Sequence, residues 1–243
     1  MDYVLIFFAG FLAFTVSTVA GGGGALLLVP ITSFFLPVNA VPPVVQLGNF
    51  LGRPTRVMLF WKFIRWDIVK VYLPAAWVGA FLGAWLFVHL DLRWVQALIG
   101  IFLITTIFQY RFGQKSRSFP MQLWMFAPLG GLVCFVSSVI GATGAVLNPF
   151  YMNFGVSKEE LVATKAVNSF LVAIVQLSTY GFFGVLTADL WPYGLCIGLG
   201  AAFGNVIGKR WLAHMSEERF KQWVIAMMVI SGVVMLVKLY FGD

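Results

Sequence analysis

Charge is scarce in this sequence: 10% of the residues are Asp, Glu, Lys or Arg, where a soluble domain carries roughly 25%. With 60% hydrophobic residues and a mean hydropathy of +0.92, the 243-residue chain has too little polar surface to cover a core in water, and a soluble fold is excluded. Lipid must be the solvent. Cysteine is rarer still, with two residues. Cys134 and Cys196 both lie in apolar runs without paired spacing, so neither a disulfide framework nor a zinc knot is expected. The two histidines, His89 and His214, stand far apart, and no His-x-x-x-His or Cys-x-x-Cys spacing occurs. No Ser/His/Asp set can be assembled within the apolar runs, so the expectation is a non-enzyme without metal or cofactor. Carboxylates are missing from the interior of every apolar run, with Asp67, Asp91 and Asp189 all at ends. A cation buried in such a run therefore lacks a built-in counter-charge.

What charge there is leans positive, 16 Lys plus Arg against 9 Asp plus Glu for a net +7. The cations sit in short loops between apolar runs and form no stripe, which argues against a nucleic-acid partner and for the positive-inside bias of a protein in a bilayer. The opening Met1-Asp2-Tyr3 has no basic stretch before the first apolar run, so that run is expected to stay in the protein rather than be cleaved as a signal.

Apolar runs of about 17 to 25 residues are candidate spanning helices. Eight are expected: Tyr3 to Ala20, Val41 to Trp61, Ile68 to Leu90, Leu92 to Tyr110, Met121 to Ile140, Leu161 to Phe183, Leu190 to Leu212, and Gln222 to Phe241. Two shorter stretches, Ala25 to Leu36 and Ala145 to Phe154, have the length of half-helices. They occupy matching places when the chain is laid on itself with a shift of about 120 residues. Ser17-Thr18-Val19-Ala20-Gly21-Gly22-Gly23-Gly24-Ala25 then falls on Ser137-Ser138-Val139-Ile140-Gly141-Ala142-Thr143-Gly144-Ala145, and Gly79-x-x-x-Gly83 on Gly200-x-x-x-Gly204. The chain reads as a duplicate: a repeat over residues 1–112, a basic cytoplasmic linker over 113–120, and a second repeat over 121–243.

The basic loops Lys62 to Lys70, Arg111 to Arg117 and Lys209 to Lys221 should all be cytoplasmic. A broken but continuous opening crossing would put the second and third on opposite faces. If each opening run instead folds back as a hairpin, all three share one face and the second repeat is inverted. The expected fold is thus an all-α polytopic membrane protein of two inverted repeats, each a glycine-broken hairpin of helix plus half-helix followed by three transmembrane helices.

The breaks at Gly21-Gly22-Gly23-Gly24 and Gly141-Ala142-Thr143-Gly144 carry the first functional signal. In lipid, non-helical backbone survives only where protein or a wet cavity satisfies it, and N–H groups opening a half-helix favour an anion. The alternative is a glycine hairpin serving close packing alone. Gln46, Asn49, Arg53 and Arg56, spaced three, four and three, share a helix face. Arg53 lies near the middle of its run, where an arginine needs a cavity, a partner or a ligand, while Arg56 is placed to snorkel toward the cytoplasmic interface. Lys165, Asn168, Ser169 and Gln176 form a related face in the second half, with Asn168 answering Asn49; Lys165 is also placed to snorkel. The Gly79/Gly83 and Gly200/Gly204 pairs read as close helix contacts.

These residues resemble a known family. The run ending in Ala20-Gly21-Gly22-Gly23-Gly24, the Leu-rich half-helix to Pro30, the second-half Gly141-x-x-Gly144, the Ala163-Thr164-Lys165 stretch and the late glycine pairs are similar to the TauE/SafE family of sulfite and organosulfonate exporters over nearly the whole chain. The resemblance implies a multi-pass permease of the cell inner membrane for sulfur-containing anions such as sulfite, sulfoacetate or related sulfonates, often homodimeric. The expectation is a small anion bound near the midplane by Gly21, Gly22, Gly23, Gly24, Gln46, Asn49, Arg53, Gly141, Thr143, Gly144, Lys165 and Asn168, and moved by alternating access. An anion channel, or a non-transporting assembly or lipid-handling protein, is the alternative.

Overall fold

The computed structural model describes residues 2–22, 24–32, 34–37, 40–89, 120–140, 146–216, 218–220 and, singly, 222, 223, 226 and 233. All regular structure among the described residues is helical. We number the helices α1 (Asp2–Val19), α2 (Gly24–Thr32), α3 (Val41–Leu59), α4 (Trp66–His89), α5 (Phe126–Ile140), α6 (Asn148–Phe154), α7 (Lys158–Phe182) and α8 (Trp191–Ala213). Four stretches among the described residues are long and apolar enough to cross a membrane: Asp2–Val19, Trp66–Val88, Lys158–Phe182 and Ala188–Ala213. The run Leu92 to Tyr110 lies outside the described residues, and Gln222 to Phe241 is described only at single positions. The segment expected to span over Val41 to Trp61 does fold as the helix α3, but its polar stripe keeps it out of those four stretches.

Local chemistry sets the helix ends. Pro42 and Pro43 open α3, where the missing N–H costs nothing. The α6 helix ends at Gly155, whose φ of 90° is left-handed. A reciprocal cap begins α7: Ser157 Oγ accepts from Glu160 N at 3.2 Å, and Glu160 Oε2 accepts from Ser157 N at 2.8 Å. This Ser-x-x-Glu signal is local, yet the apolar run expected to span begins three residues after Lys158, at Leu161.

Packing is exchanged between the halves. The opening helix α1 packs on α8 of the second half, and α5, its counterpart by the repeat, packs on α4 of the first. The glycine pairs make both contacts. A Cβ on Gly79 or Gly83 would stand 2.0 Å from Gly131 O or 2.1 Å from Phe135 O of α5, and one on Gly200 or Gly204 would stand 2.2 Å from Phe7 O or 2.4 Å from Phe11 O of α1. No side chain fits against a backbone carbonyl at that distance. Gly79→Leu and Gly200→Leu are therefore each expected to abolish a monodisperse peak in size-exclusion chromatography. Gly181→Ala, whose Cβ would meet nothing within 4 Å, should elute as wild type.

The two ends of the bundle gather different segments. At one end the Tyr3 ring lies 5.0 Å from that of Tyr193, and the start of α1 shares a cavity with Leu36 and Ala40 before α3 and with Gly184 and Leu190 before α8. At the other, Lys209 Nζ donates to Leu59 O at 2.7 Å, Lys158 Nζ to Leu212 O at 3.2 Å, and Arg65 N to Thr164 Oγ1 at 3.0 Å. Phe126 and Phe154, the first residue of α5 and the last of α6, meet at 5.3 Å, and the Arg65 guanidinium lies 5.7 Å from the Phe154 ring. The α1–α2 hairpin thus opens at the first end and the α5–α6 hairpin at the second.

Candidate functional site

The break between α1 and α2 is built by backbone that only glycine adopts freely: φ is 66° at Gly21 and 140° at Gly22. Leaving the helix there strips the carbonyls just past α1 of their usual partners. Other parts of the chain replace them. Lys165 Nζ of α7 donates to Gly21 O at 2.5 Å, and Asn148 Nδ2 of α6 reaches Ala20 O at 3.4 Å. The same Lys165 Nζ donates to Asn148 Oδ1. One ammonium therefore ties the first break to the first residue of the second half-helix.

Beside this tie is a cavity of about 90 Å³, where a single water needs roughly 10–15 Å³ on the same measure. It has room for several waters or one small oxyanion. From the first half it is lined by Ser17, Gly21, Gly22 and Gly24 at the break and by Gln46, Asn49, Arg53 and Arg56 on α3. From the second half come Ser137 on α5 and Lys165, Ser169 and Gln176 on α7. Aromatic and apolar wall is supplied by Phe14, Tyr72, Leu147 and Val172, among others.

Of the residues expected at the site, Gly21, Gly22, Gly24, Gln46, Asn49, Arg53 and Lys165 line this cavity. Gly23, Gly141, Thr143 and Gly144 lie outside the described residues. Asn168 is elsewhere: buried, it donates to Tyr151 OH at 3.0 Å, while its Oδ1 has no partner among the described residues and its residue does not line the cavity. The Asn49–Asn168 correspondence in sequence is thus not a correspondence at the cavity, where Ser169 takes the place.

Two cations proved deeper than interface snorkelling allows. Lys165 is 8% exposed, as is Arg56. Arg56 Nε donates to Asn205 Oδ1 at 2.9 Å, its other nitrogens lie 3.4 Å from Ser17 Oγ and Phe14 O, and its guanidinium stands 5.3 Å from the Phe14 ring. Asn205 is itself fixed, donating to Gly52 O at 2.9 Å and accepting from Thr18 Oγ1 at 3.0 Å. Arg53, half-buried, donates through NH1 to Ser169 O at 2.7 Å. That engages one of five guanidinium N–H groups, leaving donors for a ligand. The lining thus holds three cations, and no carboxylate lines it among the described residues. No cluster of His, Cys, Asp or Glu among the described residues is arranged to hold a metal.

A helical bundle with stretches of membrane-crossing length, broken at Gly21 and Gly22 beside a small cationic cavity, defines a multi-pass membrane transport protein. The sulfite exporter TauE/SafE family matches residues 6–235, and the chain belongs to that family, one of membrane transporters rather than enzymes. It is 25% identical over 180 residues to "Probable inner membrane transporter protein TsaS" of Comamonas testosteroni, covering 72% of this chain and 73% of the relative. It is also 25% identical over 250 residues to "Probable membrane transporter protein ORF9" of Sinorhizobium sp, covering 95% and 91%. No solved structure matches it.

Proposed function

We propose that this transporter carries a small sulfur-containing or organic oxyanion, such as sulfite, sulfoacetate or a related sulfonate, across the cell inner membrane by alternating access. The observation that carries the reading is the lining of the cavity: Arg53, Arg56 and Lys165 converge on it without a carboxylate among the described residues. Three like charges in a buried space repel one another, and a bound oxyanion supplies the missing counter-charge. The family description and the inner-membrane name of the Comamonas relative support the substrate class and the location. Hairpins opening at opposite ends, with exchanged partners, support two inverted repeats over residues 1–112 and 121–243, joined by 113–120, as the units that rock.

Uptake of a labelled sulfonate into liposomes at matched protein density tests this. Wild type should transport at carrier rates, Arg53→Gln at least tenfold slower, and Arg53→Lys between them, because lysine keeps the charge but not the planar fork. Equal rates for all three proteins would remove Arg53 from the path, and ionic currents far above carrier turnover would replace the carrier by a channel.

A further inference from the structure

The two halves bring different chemistry to the cavity. Under the 120-residue shift Arg56 of α3 falls on Gln176 of α7, and both line the space, so a guanidinium in one half is answered by an amide in the other. Gln176 is 2% exposed, and what holds it fixes which way its amide faces. The Ser138 hydroxyl has one proton, directed at the carbonyl oxygens of Ala80 at 3.0 Å and Cys134 at 2.9 Å. Toward Gln176 it can only accept. Gln176 Nε2 therefore donates to Ser138 Oγ, at 2.7 Å, and the free end of the amide is the acceptor Oε1. Nothing among the described residues donates to that oxygen, although its side chain lines the cavity. An unpaired acceptor open to a cavity calls for a donor from whatever fills it.

The cationic groups stand toward the start of α7. Arg53 reaches Ser169 O, and Gln176 is seven residues further on, two turns or roughly 10 Å along the axis. Side chains on a helix lean toward its N-terminus, so the Gln176 amide leans back toward Ser169 and leaves a gap on the scale of a small organic anion.

We infer that the cavity selects an oxyanion bearing its own neutral O–H group, with its charged end at Arg53 and Arg56 and its hydroxyl donating to Gln176 Oε1. The inference rests on the anion reading of the same site and names a substrate class within it. A hydroxyalkyl sulfonate and hydrogen sulfite share this chemistry. An ammonium also donates, but here it would join three cations in one small space.

Isothermal titration of the full chain in lipid nanodiscs tests the inference with two pairs of anions, 2-hydroxyethanesulfonate against ethanesulfonate and hydrogen sulfite against methanesulfonate. The O–H-bearing member should bind about tenfold more tightly, the factor for one further hydrogen bond at the upper end of its net worth. A preference in the first pair assigns the hydroxyl to an organic anion; a preference confined to the second assigns it to the inorganic one. In Gln176→Met the ratio within the preferred pair should fall below twofold. If that variant does not fold, the wild-type ratios decide alone. Binding of 2-aminoethanesulfonate as tight as that of the hydroxyl compound would overturn the neutral donor. Equal affinities within both pairs would overturn the inference and leave the anion reading standing, whereas binding of none of these anions would sink that reading itself.

Discussion

Arg56→Gln is expected to weaken sulfonate binding by about 100-fold, close to 2.8 kcal/mol, while leaving the stability of the empty protein nearly unchanged. The substitution gives the first half the residue that the second half carries at Gln176. Arg56 is oriented before any ligand arrives, because Asn205 holds its Nε and is itself held by Thr18 and Gly52 O. A donor fork fixed in this way loses little freedom on meeting an oxyanion, which is why its removal should be felt fully in affinity. Stability of the empty state responds to two opposed effects. Losing hydrogen bonds to Asn205 and Ser17 destabilises, and removing one of three neighbouring cations around the cavity stabilises, each on the order of 1–3 kcal/mol. The measurement is the thermal unfolding midpoint with and without a saturating sulfonate. Wild type should gain stability from the ligand and Arg56→Gln should gain almost none, from a similar starting midpoint. A low starting midpoint with an intact ligand-induced rise would make Arg56 a structural residue.

Arg56 also marks where sequence reading stops. Its helix, its face and its company with Gln46, Asn49 and Arg53 follow from spacings of three and four, which are local. The close contacts of Gly79, Gly83, Gly200 and Gly204 are equally local in signal, since small residues four apart leave a groove for another backbone. The depth of an arginine is not local. It is set here by Asn205, 149 residues away, and by the carbonyl of Phe14, so a residue placed to reach the interface is instead drawn inward. Asn168 shows the opposite error. Matching amide to amide paired it with Asn49, but the 120-residue shift sets Ser169 on Asn49, and because one residue along a helix turns a side chain by about 100°, it is Ser169 that reaches the cavity while Asn168 turns to Tyr151. The importance of Gln176 was legible only as membership of a polar face, because the direction of its amide depends on where the Ser138 proton goes.

Lys165→Met is expected to lower the thermal unfolding midpoint by roughly 5–15 °C and to abolish transport, a larger structural effect than either arginine change. The ammonium donates to Gly21 O at 2.5 Å and to Asn148 Oδ1, so it supplies partners to backbone that left its helix and to a side chain opening the second half-helix. Methionine fills a similar volume and donates nothing. Two buried acceptors then lose their donor, at about 1–3 kcal/mol each, and about 1 kcal/mol moves the midpoint by roughly 2–4 °C in a chain of this size. Relief of charge repulsion opposes this loss, as it does for Arg56, but the balance differs. Arg56 rests on Asn205, which keeps Thr18 and Gly52 as partners when the guanidinium is gone. Gly21 O is held in a left-handed turn with φ of 66° and cannot turn back into the α1 helix to recover a donor. The break should therefore loosen first, and hydrogen exchange at Gly21 and Gly22 should rise well above that of wild type even where the rest of the chain stays protected. A Lys165→Met protein with a wild-type midpoint and wild-type protection at those amides, but with weakened sulfonate binding, would show that the ammonium serves the ligand and not the break.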